Sequence, residues 1–238
     1  MTSTTVPVIF DLDGTLVDPA GGITDGISSA LKELGLPVPS QDLLDSMIGP
    51  KLSDALLNVA KVPADRLEEV IRRYRAYYAE SGIAQGRLYP GIREVLETFV
   101  AAGVPVAVAT QKPQTIARTV LAHHGIDGLF RGIHGSADNE SAVDGVPLGK
   151  TEIIAAALKD LETHHAVMVG DRAQDVSGAI ANGLDCIGVA WGFAPDGELE
   201  GAGAFTVVAN AAELVNAVER LQSIHASAMS EVTNDGNV

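Results

Sequence analysis

The segment Val8-Ile9-Phe10-Asp11-Leu12-Asp13-Gly14-Thr15-Leu16 ends a short apolar run in two carboxylates one residue apart, followed by a glycine and a hydroxyl. An apolar run of this length reads as a buried strand, expected over residues 6–12. Such a strand delivers the acids at its end to the edge of the fold. In an open α/β sheet, ligands sit in the crevice outside the carboxyl ends of the strands. The first strand is therefore expected to carry chemistry as well as to begin the sheet.

Outward from this segment the pattern changes twice. Gly14 permits a tight turn, and Asp18-Pro19 with Gly21-Gly22 marks a loop. Ile23, Ile27, Ala30, Leu31 and Leu34 then repeat at helical spacing up to Gly35. Leu43, Leu44, Met47 and Ile48 suggest a second helix, stopped by Gly49-Pro50. Leu52, Leu56, Leu57 and Val59 suggest a third, and Leu67, Val70, Ile71, Tyr74 and Tyr77 a fourth. Residues 19–85 are expected to form an all-helical insert, with Tyr74, Tyr77 and Tyr78 in its core. After Tyr89-Pro90-Gly91, apolar strands alternate with amphipathic helices. Helices are expected over 92–102, 114–124, 151–161, 174–182 and 211–221. Strands are expected over 104–109, 133–135, 166–169 and 185–189. This alternation implies a parallel sheet with helices on both faces, an α/β Rossmann-like core formed by 1–18 and 86–223. Residues 1–5 read as frayed and 224–238 as a disordered tail.

Bulk properties exclude several classes. Of 238 residues, 46% are hydrophobic, too many for a disordered chain. The formal net charge of -15 disfavours nucleic acid polymers and anionic membrane surfaces as partners. The acid is uneven: residues 19–87 hold 8 Lys/Arg against 9 Asp/Glu, which sets the insert apart from the rest. The single cysteine, Cys186, precludes an intrachain disulfide and reads as a buried structural thiol. No apolar run is long enough for a membrane span, and the N-terminal residues lack a signal-peptide pattern. A cytoplasmic protein is expected, as a monomer or homodimer.

Polar groups recur where the strands end. Asp11 and Asp13 close the first, Thr110 the strand 104–109, and Gly170-Asp171 the strand 166–169, with Asp175 four residues on; Lys150 opens a helix between them. Adjacent parallel strand ends converge on one crevice. Three or four carboxylates brought together are tolerated only around a cation or with shifted pKa values. Oxygen ligands without His or Cys favour a hard ion, Mg²⁺ first.

Asp-Leu-Asp-Gly-Thr-Leu at 11–16, Ala-Thr-Gln-Lys at 109–112, Lys150 and Gly-Asp-Arg-Ala-Gln-Asp at 170–175 resemble, in order, the four motifs of the haloacid dehalogenase (HAD) superfamily. The insert resembles its C1 cap. Tyr89-Pro90-Gly91 and Trp191-Gly192 are similar to the phosphoglycolate phosphatase-like branch. The resemblance implies a Mg²⁺-dependent phosphatase acting on a small phosphorylated metabolite, phosphoglycolate first and a nucleoside 5′-monophosphate second. It implies Asp11 as nucleophile, forming an aspartyl-phosphate, and Asp13 as general acid and base. Thr110, Gln111 and Lys150 would hold the phosphoryl group. Asp11, the Asp13 carbonyl and Asp171 would bind the metal, with Asp175 orienting Lys150 or a metal-bound water.

An acid at position 13 argues against dehalogenation and phosphonate hydrolysis. Gly170 before Asp171 argues against the sugar phosphomutases of the superfamily, which often carry a glutamate there. Two competing readings are phosphoryl transfer by a mutase or kinase-like enzyme and a regulatory protein on the same scaffold without turnover. Gln111 and Arg172 are bulkier than the small residues common beside these motifs. Arg172 either reaches substrate or lies on the surface. Lys112 either assists at the phosphate or is an exposed loop lysine. Lys51, in the Gly49-Pro50-Lys51 break, either reads an anionic substrate or sits in an exposed turn. Gly145-Val-Pro-Leu-Gly-Lys-Thr151 has three residues between its glycines, where a Walker A loop needs four, so ATP binding is not expected there. The pairs His123-His124 and His164-His165 read as helix-end residues rather than metal ligands.

Overall fold

The computed structural model of the chain describes residues 5–19, 21–138 and 149–235. Residues 1–4 and most of the Gly145–Thr151 stretch lie outside them. In chain order the elements are β1 (Val8–Phe10), β2 (Val17–Asp18), α1 (Gly22–Glu33), α2 (Gln41–Asp45), α3 (Leu52–Asn58), α4 (Leu67–Tyr77), a π-helical turn (Tyr78–Gly82) and α5 (Ile83–Gln85). There follow β3 (Arg87–Leu88), α6 (Ile92–Ala101), β4 (Val106–Pro113), α7 (Gln114–His123), β5 (Gly132–Ser136), α8 (Lys150–Asp160), β6 (Val167–Gly170) and α9 (Ala173–Ala181). The chain continues with β7 (Asp185–Val189), α10 (Glu198–Ala202), β8 (Thr206–Val208) and α11 (Ala211–Asp235).

Six parallel strands form one sheet in the order β5-β4-β1-β6-β7-β8. From β1 the chain builds outward first through β4 and β5, then on the other side through β6, β7 and β8. The order therefore reverses at β1, the kind of switch point that opens a crevice at the carboxyl ends of the strands. Both faces of the sheet are covered. Val8, Phe10, Val106, Val108, Val167 and Val169 join one apolar cluster, while Ile9, Ala107, Met168 and Cys186 join the other. This is the period-2 alternation of a strand read against two buried faces, which is why the segment 8–10 is apolar throughout.

The expected α/β core and helical insert are present, with differences of detail. A two-stranded antiparallel ribbon, β2 with β3, pairs Val17 with Leu88 and Asp18 with Arg87 where the chain enters and leaves the insert. Pairs of two residues are too short to show a period in sequence. The sixth strand, β8, was likewise not expected; its three residues sit at the sheet edge beside β7. The last helix runs to Asp235 rather than ending at 221, so much of the expected tail is helical. Cys186 is buried, as a structural thiol should be. No helix among the described residues is long and apolar enough to cross a membrane.

Candidate active site

The three central strands bring the predicted acids to one edge. Phe10 pairs with Val108 and Val169, so Asp11, directly after β1, lies one residue short of the level of Thr110 on β4 and of Asp171, directly after β6. The Asp11 amide still donates to the Val169 carbonyl at 2.9 Å, which fixes the backbone of the first acid. Asp11, Asp171 and Asp175 each offer a carboxylate oxygen, and these oxygens lie within 4.8 Å of one another. All three residues are buried.

Lys150, the first residue of α8, enters this cluster from the side. Its Nζ lies 2.7 Å from Asp11 Oδ1 and 2.6 Å from Asp175 Oδ1. The helix start is set locally by Glu152, which accepts the Gly149 amide hydrogen at 2.8 Å. Asp175 plays a similar part in α9: its Oδ2 accepts the Arg172 amide hydrogen at 3.0 Å while Oδ1 faces Lys150. Asp171 is held by the Thr15 hydroxyl, which donates to Oδ1 at 3.2 Å, and by the Phe193 amide, which donates to Oδ2 at 2.8 Å. Gly14 and Gly192 flank it so closely that a Cβ on either would overlap the Asp171 side chain.

Burial drives the Asp171 carboxyl well above the ordinary carboxylate range, and the Asp175 and Asp11 charges add to the rise. Burial likewise lifts Asp175, which Lys150 pulls back and Asp11 pushes up, to about 6. For Lys150 burial acts downward, but the Asp11 and Asp175 charges outweigh it and the ammonium is held charged. Asp13 is paired with Lys112 and Glu198 with Arg172, so three clustered carboxylates face one ammonium. Such a group takes up protons or accepts a divalent cation. The donor set is all oxygen and suits a hard ion.

Asp13 belongs to a second, adjoining group. Lys112 Nζ lies 2.7 Å from its Oδ2, with both side chains almost fully buried. On its other side the ammonium sits 4.4 Å from the centroid of the Tyr78 ring, contributed by the insert. Burial raises the Asp13 carboxyl, against the lowering effect of Lys112. Lys112 reaches this place because the β4–β5 register shifts between Ala109 and Pro113, and such irregularities re-aim side chains. It is therefore not an exposed loop lysine.

A small cavity of ≈ 50 Å³ opens beside Asp13, with Gln111 and Lys112 from the sheet edge and Ile23, Met47, Leu52 and Tyr74 from the insert in its wall. Thr110 is buried, and its Oγ1 accepts the Lys112 amide hydrogen at 3.3 Å. Lys51 is half-buried at the start of α3 and does not line this cavity, although Pro50 and Leu52 do. A larger cavity of ≈ 750 Å³ between α7 and β5 contains none of the clustered acids.

Arg172 is neither a surface residue nor a wall of that cavity. It is buried, donates from Nη1 to the Ile48 carbonyl of the insert at 2.7 Å, and donates from Nε to Glu198 Oε1 at 3.0 Å. Tyr74 and Tyr78 stack with ring centroids 5.6 Å apart inside the insert, as expected, yet both also border the site. The roles of Thr15, Gly192 and the Phe193 amide around Asp171 carried no signal in the sequence beyond their places near the motifs.

The family model for haloacid dehalogenase-like hydrolases matches residues 8–189. A 5′-nucleotidase of Pseudomonas aeruginosa is 38% identical over 194 residues, covering 81% of this chain and 86% of that one. The tyrosine-protein kinase PtkA of Mycobacterium tuberculosis is 41% identical over 188 residues, which are 78% of this chain and 62% of the relative. Among solved structures, a predicted phosphatase from Clostridium acetobutylicum superposes with a TM-score of 0.83 at 32% identity, covering 92% of this chain and 100% of that one. With the converging strand ends, the buried acids around Lys150 and this match over most of its length, the chain belongs to the haloacid dehalogenase-like hydrolase family.

Proposed function

We propose that this protein is a Mg²⁺-dependent phosphatase that hydrolyses a small phosphate monoester through an aspartyl-phosphate. The observation that carries this reading is the buried Asp11–Asp171–Asp175 cluster tied to Lys150 at the strand ends, with Asp13 standing apart on its own partner. Residues 19–85 act as a cap over a core formed by 1–18 and 86–223. Asp11, Asp171 and the Asp13 carbonyl would hold Mg²⁺, which when bound neutralises the carboxylates and draws charge from the phosphoryl oxygens.

In the first step an Asp11 carboxylate oxygen attacks phosphorus. The ester P–O bond breaks, and the leaving oxygen keeps the electron pair and takes a proton from Asp13. In the second step Asp13 takes a proton from water as the water oxygen bonds to phosphorus. The bond from phosphorus to Asp11 breaks and frees inorganic phosphate. Lys150 and the Thr110 hydroxyl stabilise the charge that spreads over the phosphoryl oxygens, and Gln111, which lines the cavity beside Asp13, would help hold the phosphoryl group. Asp175 holds Lys150 in place. Lys51, between Pro50 and Leu52 of the cavity wall, would read an anionic group of the substrate from the insert. The likeness to a phosphoglycolate phosphatase of Haemophilus influenzae favours phosphoglycolate-like esters, while the likeness to a 5′-nucleotidase favours a nucleoside 5′-monophosphate.

The test is phosphate release from a panel of monoesters, p-nitrophenyl phosphate included, with and without Mg²⁺. Activity is expected only with the metal, and Asp11→Asn is expected to lower it by at least about 10³-fold, as for a lost nucleophile. A metal-supplied protein that released no phosphate from any ester would overturn the reading. The likeness to PtkA supports a second one, transfer of a phosphoryl group to another acceptor. That reading expects label from the γ-phosphate of ATP to appear on protein without matching free phosphate.

A further inference from the structure

We infer that Lys112 is a positioning residue for Asp13: it pins one carboxylate oxygen and leaves the other for proton exchange, and the insert's Tyr78 holds the lysine in that role. The inference rests on the reading of Asp13 as general acid and base.

A carboxylate rotates readily about its last torsion, which is broad and two-fold. For acid catalysis one oxygen must stay within hydrogen-bond reach of the leaving oxygen, and small misplacements are costly. In this protein Oδ2 of Asp13 is fixed by Lys112 Nζ at 2.7 Å, a charge-assisted contact between two buried groups. Oδ1 is buried and has no hydrogen-bond partner among the described residues, and Asp13 lines the cavity beside the insert. The two oxygens are therefore unequal before any substrate arrives. Oδ1 is the atom that gives its proton to the leaving oxygen and later takes one from water.

Lys112 is built for this role from both sides of the cleft. On the core side, the irregular stretch of β4 turns it inward, and its amide donates to Thr110 Oγ1. On the insert side, the Tyr78 ring covers the ammonium at 4.4 Å, a cation–π contact between two buried side chains. Tyr78 opens the π-helical turn that follows α4, and turns of this kind recur at functional sites. Tyr74, one helical turn earlier, stacks on Tyr78 and reaches the cavity wall. Seating of the insert and alignment of Asp13 thus pass through one lysine.

The experiment measures kcat/KM, with Mg²⁺ present, for aryl phosphates whose phenols rise in pKa and for an alkyl phosphate. General acid catalysis matters little for a good leaving group and greatly for a poor one. Lys112→Met is expected to lose about 10²-fold or more on the alkyl ester and less than about threefold on the best aryl ester, a share of the usual worth of general acid catalysis. Lys112→Arg is expected to recover part of the loss, and Tyr78→Leu to reproduce the same slope more weakly with Lys112 intact. An equal loss across the series in Lys112→Met overturns the inference. So does a Tyr78→Leu series parallel to that of the unaltered protein, which keeps the test open should Lys112→Met not fold. In either case, phosphate release by the unaltered protein with loss in Asp11→Asn leaves the phosphatase reading standing. An unaltered protein inactive on the whole series ends both.

Discussion

Asp171 has closely fitted surroundings. The Thr15 hydroxyl and the Phe193 amide occupy its two oxygens, and Gly14 and Gly192 leave no room for a Cβ. Gly14 also has a positive φ of 84°, so a side chain there brings backbone strain as well as a clash. Gly192 has no such constraint and isolates the effect of close approach. Gly192→Ala is expected to displace the Asp171 carboxylate and to lower activity about 10²-fold, the usual penalty for a misplaced group. The Mg²⁺ concentration for half-maximal rate should rise as well. A variant with an unchanged Mg²⁺ requirement would show that Asp171 does not depend on this fit. The Gly14 part of this arrangement is legible in sequence, because a glycine directly after two acids at a strand end reads as a tight turn. The Gly192 part is not, because its contact with Asp171 spans the loop after β7.

At the level of elements, Arg172 joins the start of α9 to the end of the insert's second helical region through the Ile48 carbonyl. It is fixed from behind by Glu198, which also accepts the Ala173 amide hydrogen at 2.8 Å. Because Arg172 directly follows Asp171, the insert is tied to the acidic cluster through one residue. Arg172→Met keeps much of the buried stem and removes the charged hydrogen bonds. It is expected to cost about 1.5–3 kcal/mol, as for hydrogen bonds to charged groups. Amide exchange should speed up around residues 46–51 while α8 keeps its protection. Equal acceleration in both places would mean global destabilisation instead of a lost tether. Helix periodicity predicts the insert's helices to within a few residues, but pairings of the insert with the core depend on how the ribbon β2–β3 aims it. Two-residue strands carry no period, so nothing in the local sequence announces that ribbon.

Across the whole molecule, the acidic cluster makes stability depend on pH in an unusual direction. Burial raises the folded-state pKa of Asp175 to about 6 and of Asp171 well above 3.8. The folded protein then binds more protons than the unfolded chain between these values and the unfolded pKa near ~4. The stability this confers is present below about pH 4 and is lost as pH rises through about 6. Metal-free protein is therefore expected to show a falling contribution from these acids between pH 5 and 7, the reverse of a salt-bridged aspartate. If Mg²⁺ is the ion held there, as proposed, then at about 100 times its Kd it is expected to add about 2.7 kcal/mol and to raise Tm by about 5–10 °C at pH 7. The rise should shrink markedly at pH 5, where protons compete for the same oxygens. A Tm gain independent of pH, followed by differential scanning calorimetry, would contradict this account.

Sequence alone determined the parallel α/β core, the helical insert and the short list of acids, because strand and helix periods are local and the acids stand at strand ends. It also singled out Lys150, whose position at a helix start follows from the pattern around it. Tertiary structure decided which charges face one another. Lys112 and Arg172 were each ambiguous as residues in a string, for a lysine after a strand and an arginine after an acid occur on any surface. Only the irregular register of β4 turns Lys112 onto Asp13, and only the packing of the insert sets Ile48 over Arg172. Both contacts join segments about a hundred residues apart, and no local propensity encodes a contact made across that distance.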